Sequence, residues 1–335
     1  MLLAAGIFAA ALAAIATERV DGTKVALLGA VLVLLTQTID QQRAIEAIDF
    51  NTIGLLAGMM LMVALTEKTG VYAWLAIRAG QLSGGRSPLV VASLAATTAV
   101  LSAFLDNVTT VLLVVPITFL LADALEIDPI PLVIIEIVAA NLGGTATLIG
   151  DPPNILIAGH TGLSFLAFID NLAAISLLAA SVATAGIYAV YRRRLRISPD
   201  SRDRVMLLDA NAAIEDPGEL RRTLPVLLGT IGLFFVHKPL HVEPANVALA
   251  GASVMLLLTR RPVEDALARI EWPTLFFFIG LFVMVGALEE TGALEEGPGR
   301  SPMPLAATAP PSCSRSFGSP GSAAGWSTTS RSPRP

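Results

Sequence analysis

Two polar clusters interrupt an otherwise apolar chain. "SAFLDNVTTVLLVVPI" runs from Ser102 to Ile117 and places Asp106 and Asn107 beside the hydroxyls of Ser102, Thr109 and Thr110. "NLGGTATLIGDPPNIL" runs from Asn141 to Leu156 and adds Gly143, Gly144, Thr145, Thr147, Asp151 and Asn154. The chemistry open to such residues is ion binding. Glycines let a helix unwind at low steric cost, while Pro152 and Pro153 forbid its simple continuation. Freed carbonyls, hydroxyls and amide oxygens are hard ligands suited to Na⁺, and Asn107, Gly143, Thr145 and Asn154 are the candidate ligands. Half-helix N-termini offer N–H groups to an anion. A carboxylate at the bilayer centre costs about 2.5–3.5 kcal/mol even on lenient scales, so Asp106 should face an ion, a partner or water.

The surroundings decide that these clusters lie in a membrane. The chain has 335 residues, 54% of them hydrophobic and only 15% charged, and its mean hydropathy is +0.70. No soluble domain hides that much apolar surface. The net charge of −5 is unremarkable, and nothing in the composition suggests nucleic acid as a partner. The single Cys313 excludes an intrachain disulfide and any cysteine-built metal site, and His160, His237 and His241 share no ligand spacing. No cofactor is expected beyond a coupling Na⁺ or H⁺.

Uninterrupted apolar stretches lie near 2–16, 25–39, 50–66, 170–191, 224–237, 246–259 and 274–290, and they predict an all-α polytopic membrane protein. The N-terminal stretch lacks a basic n-region, so it reads as a span rather than a signal peptide. Trp74, Tyr191 and Trp272 sit where an interfacial belt would put them. The basic run "YRRRLR", Tyr191 to Arg196, opens a polar connector over 192–222 and predicts that this connector is cytoplasmic. Counting spans outward places Arg78, Arg86, Arg260 and Arg261 on the same side.

The chain also repeats itself. "IDFNTIGLLAGMMLMVALTEKTG" (Ile48 to Gly70) matches "IEWPTLFFFIGLFVMVGALEETG" (Ile270 to Gly292) without a gap, at an offset of 222 residues. The same offset carries "VALLGAVLVLL" from Val25 onto "VALAGASVMLL" from Val247. An odd number of crossings between the copies makes the repeat inverted, the architecture that opens one central site alternately to each side. The expected organisation is a first repeat over 1–191, the connector, and a partial second repeat over 223–296.

Within the first repeat, the region 88–122 is too long for one straight span and fits a re-entrant hairpin with its tip at Asp106 to Thr109. The region 130–160 fits a helix broken at the glycines. Unwound backbone at membrane depth is tolerated only where protein or a wet cavity satisfies it, so hairpin and broken helix should meet and enclose a binding site.

These two motifs resemble those of the ion transporter superfamily, specifically the branch of arsenite permeases, NhaD Na⁺/H⁺ antiporters and the melanosomal P protein. Citrate and dicarboxylate transporters are more distant relatives. The resemblance covers residues 1 to about 296. It implies a scaffold with a transport domain, in which hairpin tip and unwound helix enclose a cation site and part of the substrate site. It implies a secondary transporter of a small inorganic ion in the cell membrane, arsenite or a similar oxyanion foremost and Na⁺/H⁺ exchange next. A homodimer and, in an arsenite system, a soluble ATPase are the expected partners besides lipid. Where dicarboxylate relatives read Ser-Asn-Thr at the tip, this chain has Asp106, Asn107 and Val108. Asn107 is kept, and the added carboxylate favours proton or cation exchange over a dicarboxylate substrate.

The Ser/Pro/Arg/Ala-rich tail over 297–335 departs from that pattern, because the offset of 222 predicts a second hairpin starting near 324. The tail reads as disorder, and its abrupt onset points to a frameshift or truncation. An inactive transporter fragment is therefore one rival reading. An intramembrane aspartyl protease using Asp106 and Asp151 is another, weakened because Leu148 stands where a glycine is needed and Leu105 where a tyrosine is needed. The chain is therefore not expected to be an enzyme.

Overall fold

The computed structural model describes residues 2–161 and 163–292. The tail expected to be disordered lies outside the described residues, as does Cys313. Every regular element among the described residues is helical: α1 (Leu2–Ala16), α2 (Gly22–Leu35), α3 (Gln41–Glu46), α4 (Phe50–Glu67), α5 (Val71–Leu82), α6 (Ser87–Phe104), α7 (Asn107–Leu125), α8 (Ile130–Thr145) and α9 (Pro152–Thr161) in the first part. There follow α10 (Phe165–Tyr191), α11 (Pro199–Leu207), a 3₁₀ turn at Ala210–Ala213, α12 (Pro217–Val236), α13 (Pro244–Leu258), α14 (Val263–Leu267) and α15 (Trp272–Glu290). Of these, α4, α6, α7, α10 and α15 are long and apolar enough to cross a membrane, and α1, α2, α8 and α13 are shorter apolar helices. The chain is thus an all-α polytopic membrane protein.

Local sequence sets the helix starts. Asp21, Asp40, Asp49, Asp106, Ser164 and Asp216 each accept a backbone N–H from the first turn that follows, satisfying donors a helix leaves open. The helix after the connector begins at Pro217, inside the stretch that reads as loop in the sequence, because Asp216 caps it and Pro217 fits its first turn. Similarly, α10 starts at Phe165, before the apolar run, and its 27 residues make about 40 Å of helix.

Two helix pairs join the repeated segments: α2 packs along α15, and α4 along α13. Small residues let the backbones approach. A Cβ on Gly58 would stand 2.8 Å from the carbonyl carbon of Ala248, and one on Gly280 would stand 2.7 Å from that of Ala26. Gly251 sits under Met62 in the same way that Gly29 sits under Met284. Each of these contacts becomes the other when 222 is added to the first-copy residue and subtracted from the second. The register is parallel in both pairs, since Gly54 meets Ala245 and Gly58 meets Ala248, while Gly22 meets Phe277 and Gly29 meets Met284. The turns after α4 and α15 also match. Gly70 (φ 79°) and Gly292 (φ 69°) both take the left-handed conformation that glycine adopts without strain.

A second group of helices, α5 to α8 with α10 and α11, has its own buried core of Leu94, Leu121, Leu132, Ile135 and Leu195. The connector docks on this group. Glu126, at the end of α7 in the left-handed conformation, accepts from Arg204 (2.7 Å) and Ser201 (3.0 Å), and Arg194 reaches Asp128 at 3.3 Å. Gln81 donates to the carbonyl of Leu208 at 2.6 Å.

Candidate functional site

The hairpin and the broken helix meet. Helix α6 ends at Phe104, Leu105 and Asp106 are extended, and α7 starts at Asn107, so the tip is a two-residue corner. Asp106 spends one carboxylate oxygen on the Thr109 N–H at 2.7 Å. Helix α8 stops at Thr145, the chain unwinds over 146–151, and α9 starts at Pro152. The glycines permit this contact. Gly143 abuts the backbone of Ala99, and Gly144 and Gly150 abut each other, with Ser102 alongside, leaving no room for a side chain at any of them.

Side chains then sew the two pieces together. Ser102 donates to the carbonyl of Ala140 at 2.6 Å, and Thr147 donates to that of Ala103. Asn154 donates to the carbonyls of Gly144 (3.2 Å) and Thr147 (2.8 Å), which the broken helix leaves without a full partner set. Asn107 donates to the Asn141 side chain at 2.8 Å, joining α7 to α8. Asp151 lies close enough to Asp106 to feel its charge. Thr145 bonds only within its own helix, to Asn141. Thr110 is fully buried and its hydroxyl has no partner. Of the twelve residues singled out in the sequence, Ser102, Asn107, Asn141, Gly143, Gly144 and Thr147 make contacts between the two clusters, whereas Thr110 and Thr145 make none across the junction. Several serve as its stitching: Ser102, Thr147 and Asn154 donate to backbone carbonyls, and the Thr147 hydroxyl also accepts the Gly150 N–H at 3.2 Å.

Two nearby features carry no signal in those clusters. Glu136 on α8 is fully buried, takes a hydrogen bond from Thr118 on α7, and leaves its second oxygen without a partner. Glu271, just before α15, accepts from the hydroxyl of Thr274 at 3.2 Å and shares a cavity with Thr109 of the hairpin. Burial, and after it the charge of Asp106, push the Glu271 carboxyl above the usual carboxylate range, against the pull of that hydroxyl. Its signal is present in the repeat, as the counterpart of Asp49, but it reads there as a matching position rather than a site. Among the described residues no three His, Cys, Asp or Glu side chains converge as a metal would need. Carbonyl, hydroxyl and amide oxygens are what the junction offers.

A family model described as "Citrate transporter" matches residues 12–299. The chain belongs to this CitMHS citrate transporter family. An uncharacterized transporter of Mycobacterium tuberculosis is 39% identical over 288 residues, covering 85% of this chain and 67% of the relative. A 46 kDa membrane protein of Mycobacterium leprae is 36% identical with the same coverage. The human P protein is 32% identical over 360 residues, covering 84% of this chain and 43% of its own length. Membership of the ion transporter superfamily, with the P protein among its relatives, is what the two motifs led one to expect. The CitMHS chain is therefore a transporter-family membrane protein whose polar junction lies within the matched region.

Proposed function

We propose that this CitMHS chain contributes to secondary active transport of a small inorganic oxyanion, arsenite foremost, coupled to a Na⁺ or H⁺ gradient. The observation that carries the reading is the junction of hairpin tip and broken helix. It gathers buried hydroxyl and amide groups beside a carboxylate in a chain otherwise built for lipid. Its acidic character favours a cation together with a substrate of little net charge, such as arsenious acid, over a free polycarboxylate. The exchange of contacts between α2/α15 and α4/α13 supports an inverted repeat, and with it alternating access. The arginines at 192–196 and 260–261 support a cytoplasmic connector.

A second reading, Na⁺/H⁺ exchange, draws on the proximity of Asp106 and Asp151, because two carboxylates that repel each other can trade a proton for a cation. Proteoliposomes separate the two. Arsenite uptake that follows an imposed Na⁺ or H⁺ gradient and is lost in Asp106→Asn supports the first. Proton movement driven by Na⁺ alone, without arsenite uptake, supports the second. Equal fluxes in the parent and in Asp106→Asn remove Asp106 from either mechanism.

A further inference from the structure

Glu271 sits at the corner between α14 and α15, where the hairpin meets the paired helices. Together with Met60, Val63, Ala64 and Glu67 of α4 and with Arg269, it walls one side of a cavity of about 230 Å³. The other side is Thr109, Leu112 and Leu113 of α7. The charged groups here can be followed one by one. Arg269 is held by Glu67 at 2.8 Å, so the cation of the corner is already matched. The hydrogen bond to Glu271 comes from a neutral hydroxyl, that of Thr274 at 3.2 Å, and the Thr109 side chain lines the cavity opposite. The backbone N–H of Thr109 is bonded to Asp106 at 2.7 Å, so that the charge of Asp106 acts on Glu271. Docking the tip on this corner therefore brings like charges together unless something positive intervenes.

The repeat contains a natural control. Asp49 is the counterpart of Glu271 at the offset of 222 and makes the same bond, accepting from the Thr52 hydroxyl at 2.6 Å. Asp49 faces Gly159 of α9 and the loop carrying His237 and Glu243, not the hairpin tip. One carboxylate per repeat stands at the start of the long helix, and only Glu271 meets the tip.

We infer that Glu271 is a positioning residue that makes docking of the hairpin tip on the α4–α15 corner depend on a bound cation. This rests on the reading that Na⁺ occupies the junction. With Na⁺ in place, the charge of the Asp106 side is neutralised and the tip seats against Glu271. Without it, the two carboxylate sides oppose one another and the tip stays away.

The test is disulfide formation between Val63→Cys and Leu113→Cys, which share one apolar cluster, in the full chain carrying Cys313→Ser. Cross-linking is followed in membrane vesicles in sodium chloride and in choline chloride of equal ionic strength. The parent pair should cross-link faster in sodium by on the order of tenfold. Glu271→Gln should cross-link fast in both salts, Glu271→Asp should restore the sodium dependence, and Asp49→Asn should keep it. Glu271→Gln with its sodium dependence intact overturns the inference and leaves the cation reading standing. A parent pair indifferent to sodium contradicts Na⁺ at the junction, and the inference falls with it.

Discussion

The two meeting places inside this protein are built on opposite principles. Where α4 lies along α13 and α2 along α15, contact is made by Gly58, Gly280, Ala26 and Ala248, with methionines laid over Gly29 and Gly251. Polar contacts are sparse there, Thr23 to the Pro273 carbonyl at 3.1 Å and Thr66 to the Met255 sulfur at 3.9 Å, because close backbone approach and dispersion hold helices together in a membrane. Where α6 and α7 meet α8 and α9, close approach again depends on glycine, but the contact is completed by Ser102, Thr147, Asn107 and Asn154 bonding backbone and one another. The first contact is satisfied as it stands. The second retains an unpartnered Thr110 hydroxyl on α7 and a carboxylate at Asp106 whose charge reaches Asp151. A structure that needed only packing would have used the first solution twice, so the polar junction is where function should be sought.

The largest effects are expected at the glycines. Gly58→Leu must push into the Ala248 backbone and should destabilise the chain by about 3 kcal/mol, the upper end for overpacking. Gly280→Leu should cost the same, because it meets Ala26 in the same geometry. Equilibrium unfolding in detergent measures both, and costs that differ widely would show that the two pairs are not equivalent. Asn154→Leu, on the polar side, strips the donors from the Gly144 and Thr147 carbonyls and should cost about 1–3 kcal/mol. It should also weaken cation binding, which Gly58→Leu should leave in place in whatever fraction stays folded.

Smaller effects sharpen the contrast. Thr110→Val replaces a buried hydroxyl that has no protein partner, so it should change stability by less than about 1 kcal/mol, in either direction. A marked loss of Na⁺ affinity in that variant would assign the hydroxyl to the ion. The smallest effect is expected outside the spans. Arg204 first and Ser201 second hold the exposed Glu126 carboxyl below its usual range. Its grip on α11 is therefore complete above the ordinary carboxylate pKa of about 4.3 and is lost as pH falls through the lowered value. Hydrogen exchange over 198–208 should quicken on such acidification, and Glu126→Gln should show the quick rate already at neutral pH.

Much of this is legible in the sequence, for identifiable reasons. The membrane class follows from composition, and the hairpin corner at Asp106 follows from a carboxylate stranded in an apolar run. The break before Pro152 follows from proline chemistry, but it falls at 146–151; Asn141, Gly143, Gly144 and Thr145, expected to unwind, stay helical, and the two glycines serve close packing instead. Helix starts at Phe165 and Pro217 are less legible, because caps rather than hydropathy set them. Helix α5 escapes as an element since its 12 residues, with Arg78 and Gln81, do not read as a span. Glu136 and Glu271 escape for a different reason. Each is a single acid whose meaning comes from the helix opposite, Thr118 in one case and Thr109 in the other, and no local pattern announces a partner brought in by folding.

The claim at the centre is that the junction of hairpin tip and broken helix holds a cation. Equilibrium binding of radioactive sodium to the purified chain, compared between the parent and Asp106→Asn, tests it most directly. Saturable binding to the parent at one site per chain, lost in Asp106→Asn while the helical circular dichroism signal is unchanged, is the predicted result. Equal binding by the two proteins, or none by the correctly folded parent, would contradict it.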